Sequence, residues 1–282
     1  MFEYAQTFPV DFTETSAAIK DGCTIKDGSY MSPYGGNVPA YLIVPHKNGP
    51  FPAVIYMHPG QGSRTTFIAE AEFLASKGIA SLLLDAPFLR RAVPQELSAE
   101  QRAANLLEVI TDIQLFKQTI VDIQRGIDLL TCLDYIDPNR LAYVGHSFGA
   151  TWGGVLAGVE KRVKAYALIA GYSRSSEWHR TSNHPLATFI RHSLSTEQFH
   201  NLVVELEQLD GIHYIKNASP ASVLFQFACN DEFVSQKQAD EFYAAACPPK
   251  EMIWYETDHL FTKGTCAAAH QDRTNWIINH IS

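Results

Sequence analysis

The sequence predicts an α/β fold, a doubly wound and mostly parallel sheet with helices on both faces. Three observations carry that expectation. From residue 52 onward, short apolar runs alternate with stretches of helical spacing. The runs are apolar at successive positions, as strands buried on both faces must be. One of them, residues 141–144, passes straight into Gly145-His146-Ser147-Phe148-Gly149 and then into a small-residue stretch of helical character. That is a strand–turn–helix holding a Gly-x-Ser-x-Gly turn.

In chain order, Thr24-Ile25-Lys26 and residues 38–44 read as an antiparallel opening hairpin, punctuated by Asp27-Gly28 and Tyr34-Gly35-Gly36-Asn37. Residues 52–57 form an all-apolar strand that ends at His58-Pro59-Gly60-Gln61-Gly62-Ser63. Residues 66–77 place Phe67, Ala71, Phe73 and Leu74 at roughly helical spacing, with Gly78 as a stop. Residues 79–84 are a further apolar strand, ending in Asp85-Ala86-Pro87. Residues 88–104 are charged and read as irregular chain.

From Leu106 onward, Ile110, Ile113, Phe116, Ile120, Ile123, Ile127 and Leu130 recur at steps of 3 and 4, which predicts one long helical face. Asp137-Pro138-Asn139 turns the chain into the strand before Ser147. Residues 163–170, 222–228 and 251–255 read as later strands, and 236–246 and 266–281 as helices. Between two of these strands, residues 171–220 are more than a plain crossover needs. They hold Tyr172, Trp178, Phe189, Phe199 and a helical-looking stretch at 195–208. The expectation is one domain over 1–282 with a cap inserted at about 172–219, over the strand ends.

The chain has 282 residues, 46% hydrophobic and 18% charged, with a formal net charge of −8. An acidic balance argues against a nucleic-acid partner, whose polyanionic backbone demands a basic face. The first residues, Met1-Phe2-Glu3-Tyr4-Ala5-Gln6, lack the basic-then-apolar pattern of a signal peptide. No apolar run reaches the roughly 18 residues of a spanning helix. Cys23, Cys132, Cys229, Cys247 and Cys266 are odd in number and far apart, with no metal-ligand spacing. These features predict a cytoplasmic protein with reduced thiols, no metal, no membrane partner and no cofactor.

A serine hydroxyl is a weak nucleophile at neutral pH. It needs a base beside it and an acid to orient that base. In this strand–turn–helix context the acid and then the histidine follow the serine in the chain. Asp231 lies just past one later strand and His259 just past the next, so Ser147, Asp231 and His259 stand in the required order. Glu232 is the rival acid; Asp258 is a poorer one, adjacent to the histidine it would have to orient. Singly, Asp231 and His259 read as a solvated loop carboxylate and a surface histidine; only beside the turn do they read as catalytic.

An oxyanion hole needs two backbone N–H groups aimed at one point. Phe148, after the nucleophile, supplies one. The Gly-rich loop at 58–62 supplies the other, assigned to Gln61 with Gly60 and Gly62 as rivals. That loop lacks a following Gly-Lys-Ser/Thr, and no Gly-x-Gly-x-x-Gly occurs, so neither a phosphate loop nor a dinucleotide site is expected. His58, Tyr172, Trp178 and Phe189 are the candidate pocket residues. The remaining histidines, including His146 beside the serine, read as structural or surface groups.

Tyr56-Met57-His58-Pro59-Gly60-Gln61-Gly62-Ser63, Leu84-Asp85-Ala86-Pro87, the run from Asp137 through Gly149, Asn230-Asp231 and Asp258-His259 together resemble the α/β-hydrolase superfamily over nearly the whole chain. The resemblance is nearest to its dienelactone-hydrolase-like and acetyl-esterase-like branch. It implies an α/β-hydrolase fold with a sheet of about eight strands, and Ser147, Asp231 and His259 as a triad. The chain departs from true dienelactone hydrolases, which use cysteine, and has His58-Pro59 where the oxyanion loop usually has His-Gly.

The resulting expectation is a serine esterase that cleaves a small or medium carboxylic ester through an acyl-enzyme, acting on a small-molecule substrate. Two alternatives stand beside it. A peptidase or amidase of the same fold would turn over anilides as well as esters. A non-catalytic binding protein would not react with a fluorophosphonate.

Overall fold

The computed structural model describes residues 1–5, 10–91 and 96–282. Its strands are β1 (Thr13–Lys20), β2 (Cys23–Met31), β3 (Asn37–Pro45), β4 (Phe51–Met57), β5 (Ala80–Leu84), β6 (Ile136–His146), β7 (Val163–Ile169), β8 (Ser222–Asn230) and β9 (Lys250–Asp258). They form one nine-stranded sheet in the order β1-β2-β3-β5-β4-β6-β7-β8-β9. Pairings from β1 through β3 to β5 are antiparallel, and the five from β5 to β9 are parallel. This is the mostly parallel α/β sheet expected. The ninth strand is β1, which the sequence does not announce. All eight of its residues are exposed, so no apolar pattern marks it; its backbone pairs with β2 at the sheet edge.

The helices are α1 (Ile68–Ser76), α2 (Ala99–Thr111), α3 (Ile113–Cys132), α4 (Phe148–Val159), α5 (Ser175–Thr181), α6 (Pro185–Ser193), α7 (Thr196–Glu207), α8 (Gln236–Ala245) and α9 (Cys266–Ile281). They divide between two faces because side chains alternate along each strand. Val54 and Tyr56 of β4 pack with Ala71 and Leu74 of α1 and Ile277 of α9. Ala53, Ile55 and Met57 pack on the other face with α3 and α4, among them Ile120, Ile123, Ile127 and Val155. All seven residues of β4 are buried, so a polar group on either face needs a partner, as the Tyr56 hydroxyl has in Glu70 at 3.2 Å. Glu70 of α1 and Arg273 of α9, both buried, pair across the first face, where Arg273 also donates to Gln226 Oε1 of β8 at 2.8 Å.

Two expectations fail between β5 and β6. The single helix is two, because Asp112 leaves helical geometry at ψ 98° and its carboxylate accepts the N–H groups of Gln114 and Leu115, at 2.8 and 3.3 Å. A side-chain cap of this kind starts a new helix while the apolar period runs on through it. The stretch 88–104 is also less irregular than expected. A 3₁₀ turn covers Pro87–Arg90 and α2 begins at Ala99, while residues 92–95 of that stretch lie outside the described residues. Ser98 and Gln101 form a reciprocal capping box at the start of α2, a signature legible in the sequence as Ser-x-x-Gln. Between β7 and β8 the chain forms α5, α6, α7 and two 3₁₀ turns. The helix expected at 195–208 is α7, capped by Ser195.

Candidate active site

The chain leaves β6 at His146 and enters α4 at Phe148, so Ser147 alone makes the turn. Its backbone is at φ 52°, ψ −106°, a left-handed conformation that costs a non-glycine residue on the order of 1–3 kcal/mol. The Ser147 N–H donates to the Ile169 carbonyl at 2.7 Å, which fastens the strained turn to β7. The flanking glycines are there because nothing larger fits. A Cβ on Gly145 would lie 2.5 Å from the Gly149 carbonyl carbon, and one on Gly149 would lie 2.2 Å from the Met57 carbonyl oxygen.

Asp231 and His259 follow the C-terminal ends of β8 and β9, and both side chains are almost fully enclosed. The Ser147 hydroxyl lies 2.8 Å from His259 Nε2, and His259 Nδ1 lies 2.9 Å from both Asp231 oxygens. A carboxylate only accepts, so Nδ1 carries the proton and Nε2 is left with the lone pair that faces the serine. Asp231 Oδ1 also accepts the N–H groups of Phe233 and Val234, each at 2.8 Å, which hold the carboxylate in place. The rivals are elsewhere engaged. Glu232 is exposed, and Asp258 accepts from the Thr262 N–H and hydroxyl, each at 2.8 Å.

Two further histidines support these groups. His146 Nε2 lies 2.8 Å from the His259 carbonyl oxygen. A carbonyl cannot donate, so this nitrogen carries the hydrogen. Burial pushes the His146 pKa down to about 3, so the ring is neutral. His58 bridges the ends of β4 and β5: its Nδ1 donates to the Pro59 carbonyl at 2.7 Å and its Nε2 accepts the Ala86 N–H at 3.0 Å. Burial lowers its pKa as well, consistent with that one neutral tautomer.

Beside Ser147 opens a cavity of about 280 Å³. Gly60, Gln61 and Phe148 line it at the serine, and no hydrogen bond within the described residues takes the N–H of Gln61 or Phe148. Tyr172, Trp178, Leu186 and Ile190 line one side, and Phe88, Leu106, Val109, Ile110, Phe116 and Trp152 another. Of the candidate pocket residues, Tyr172 and Trp178 are in this lining. His58 and Phe189 are not in the lining. His58 is 1% exposed beneath the loop. Phe189 lies about 100° around α6 from Ile190, which with Leu186, one turn before it, is what α6 presents to the cavity. Phe199 is absent from the lining too. The wall from α2 and α3 was missed: its residues share the helical period of ordinary core positions, and only the fold brings them to the serine.

Among the described residues, no group of three or more His, Cys, Asp or Glu side chains is arranged to hold a metal ion. No described helix is long and apolar enough to cross a membrane.

A family model described as Acetyl xylan esterase (AXE1) matches residues 10–279. Among solved structures, the acetyl xylan esterase from Paenibacillus sp. R4 superposes with a TM-score of 0.77 at 19% identity, covering 97% of this chain and 90% of that one. Acetyl Xylan Esterase 1 from Thermoanaerobacterium sp. JW/SL YS485 gives 0.72 at 16% identity, over 94% and 87%. Est1E from Butyrivibrio proteoclasticus gives 0.66 at 16% identity, over 92% and 99%. These likenesses are of fold, that of the α/β-hydrolase esterases. No curated protein sequence matches the chain.

Proposed function

The chain belongs to the acetyl xylan esterase family and is a carboxylic ester hydrolase; from that premise we propose that it is a serine esterase acting on small or medium esters through an acyl-enzyme. The observation that carries the reading is the unbroken relay from Ser147 Oγ through His259 to Asp231, at 2.8 and 2.9 Å, built on a strained turn. Ser147 attacks the ester carbonyl while His259 Nε2 takes its proton. Asp231 holds the imidazole in the tautomer that leaves Nε2 free, and stabilises the imidazolium once it forms. The N–H groups of Gln61 and Phe148 take the developing oxyanion. His259 then returns the proton to the leaving alcohol, and water repeats the sequence on the acyl-enzyme.

The chain works as one domain in this reading, with residues 172–219 as a cap that closes the site through Tyr172 and Trp178. The five cysteines are free and three are exposed, which fits a reducing compartment such as the cytoplasm. The partner is a small-molecule ester, with no role for nucleic acid or membrane.

Labelling with a fluorophosphonate tests the nucleophile: peptide mapping should place the adduct on Ser147, and Ser147→Ala should abolish both labelling and turnover of 4-nitrophenyl acetate. Hydrolysis of 4-nitroanilides at rates comparable to the esters would replace the esterase reading with an amidase.

A further inference from the structure

Hydrogen bonds to His259 reach only the edge of its ring. Asp231 and Ser147 meet the two nitrogens, both in the ring plane. The positive charge of an imidazolium spreads over the whole ring, so whatever packs on its faces matters too. Phe233 packs there: the two rings lie 4.5 Å apart between centroids and 36° from parallel. Rings so close and so far from perpendicular meet through their faces. An aromatic face carries the negative part of the ring quadrupole and attracts a cation within about 6 Å of its centre.

Three contacts seat Phe233. Its N–H donates to Asp231 Oδ1 at 2.8 Å, the turn that an aspartate makes with the backbone two residues on. The carboxylate that orients His259 thus also seats the ring that lies on it. From the segment between β7 and β8, Trp178 Nε1 donates to the Phe233 carbonyl at 3.0 Å. His184 lies on Phe233 at 4.0 Å between centroids. It brings no competing charge, because its Nδ1 accepts the Leu186 N–H at 3.1 Å and burial lowers its pKa. His146, 5.9 Å from His259 between centroids, is kept neutral by burial as well.

We propose that Phe233 is a positioning residue of the reaction: its ring holds the His259 imidazole against Asp231 and its π face stabilises the imidazolium formed when Ser147 gives up its proton. The idea rests on the serine-esterase reading and adds to it the group that acts on the face of the base. A neutral imidazole gains little from an aromatic face and an imidazolium gains more. The contact therefore strengthens as Nε2 takes the Ser147 proton and fades as that proton passes to the leaving oxygen. An interaction that is stronger in the transition state than in the ground state raises kcat without lowering KM. The imidazolium forms in acylation and again in deacylation, so both steps feel the contact alike.

Fluorine drains the negative face of a phenyl ring with little change in its shape, so it separates charge from packing. Phe233 is replaced in the full chain by mono-, di- and pentafluorinated phenylalanine. The kcat for 4-nitrophenyl acetate should fall stepwise along the series, by about 5- to 30-fold at its end, with KM constant within about twofold. Phe233→Leu, apolar but without a π face, should lose at least as much kcat. Circular dichroism checks its fold, and the fluorinated rings keep the test open where that variant does not fold. A kcat that does not respond to fluorination, or a KM that rises while kcat holds, overturns the proposal and leaves Phe233 as a wall of the cavity. Fluorophosphonate labelling of the wild type is run alongside: an unlabelled Ser147 overturns the serine-esterase reading itself, whereas a labelled Ser147 with no fluorine effect overturns only the role of Phe233.

Discussion

The ring of His146 donates from Nε2 to the main-chain carbonyl of His259 at 2.8 Å. The residue before Ser147, the proposed nucleophile, thereby holds the backbone of His259, its proposed base. The two are 113 positions apart in the chain and reach each other only because β6 and β9 end at the same edge of the sheet. This bond fixes the His259 loop from below, while Asp231 fixes the ring from the side.

Removing that donor should therefore affect catalysis more than binding. His146→Ala leaves the His259 carbonyl without its partner, a loss of about 1–3 kcal/mol in stability. It should lower kcat by about 10- to 100-fold with little change in KM, since a shift of about 1 Å in a catalytic group has an effect of that size. Steady-state kinetics and urea unfolding of the variant measure both.

The same residue predicts an acid limit on stability. His146 titrates near 6.5 when unfolded and only near pH 3 when folded. The unfolded chain therefore binds the extra proton first. The stability contribution of the neutral ring is present in full above pH 6.5 and drains away as pH falls from there toward 3. Burial also lowers His58 and His179, and these act in the same direction. Unfolding free energy should fall by a few kcal/mol across that window, and His146→Phe should flatten part of the slope.

The proposed triad should behave as a unit. Ser147→Ala and His259→Ala should each lower ester hydrolysis by several orders of magnitude, and the double variant should be no worse than either alone. Asp231→Asn should lower kcat by about 10⁴-fold, because the amide favours the tautomer with Nε2 protonated. Glu232→Gln, at an exposed position away from the ring, should remain close to wild type.

Gly149 should not accept even one carbon. Gly149→Ala drives a methyl to 2.2 Å from the Met57 carbonyl oxygen, which forces α4 away from β4. A loss of more than about 3 kcal/mol is expected, with activity lost in parallel. Gly60, where an added Cβ meets nothing within 4 Å, is the comparison: Gly60→Ala should retain the fold in thermal unfolding.

Trp178 and Phe189, equal candidates by sequence, should separate. Trp178 lines the cavity and donates from Nε1 to the Phe233 carbonyl at 3.0 Å, so Trp178→Ala should change the relative kcat/KM of esters with different alcohols several-fold. Phe189→Ala should leave those ratios unchanged within about twofold.

What the sequence determines here is what lies within a few residues or within one period. The parallel strands are legible because burial on both faces requires apolar residues at every position. The turn at Ser147 is legible because its two glycines are forced by contacts inside the turn and with the adjacent strand. Asp231 and His259 follow from strand ends, which the same apolar runs mark. Ser98-x-x-Gln101 was legible too, although the charged residues around it masked the helix it opens.

The tertiary structure alone decides the rest. β1 carries no apolar signal, because an exposed edge strand is held by backbone pairing with β2. Asp112 splits an unbroken helical period, because a cap acts through a side-chain hydrogen bond that hydrophobic spacing does not register. The cavity is assembled from the loop after β4, both helices between β5 and β6, α4, and the helices after β7. Leu106, Ile110 and Phe116 have the same spacing as residues that fill the core. Whether such a side chain meets the core or an open site depends on where its helix is packed, and that is set by contacts between segments far apart in the chain.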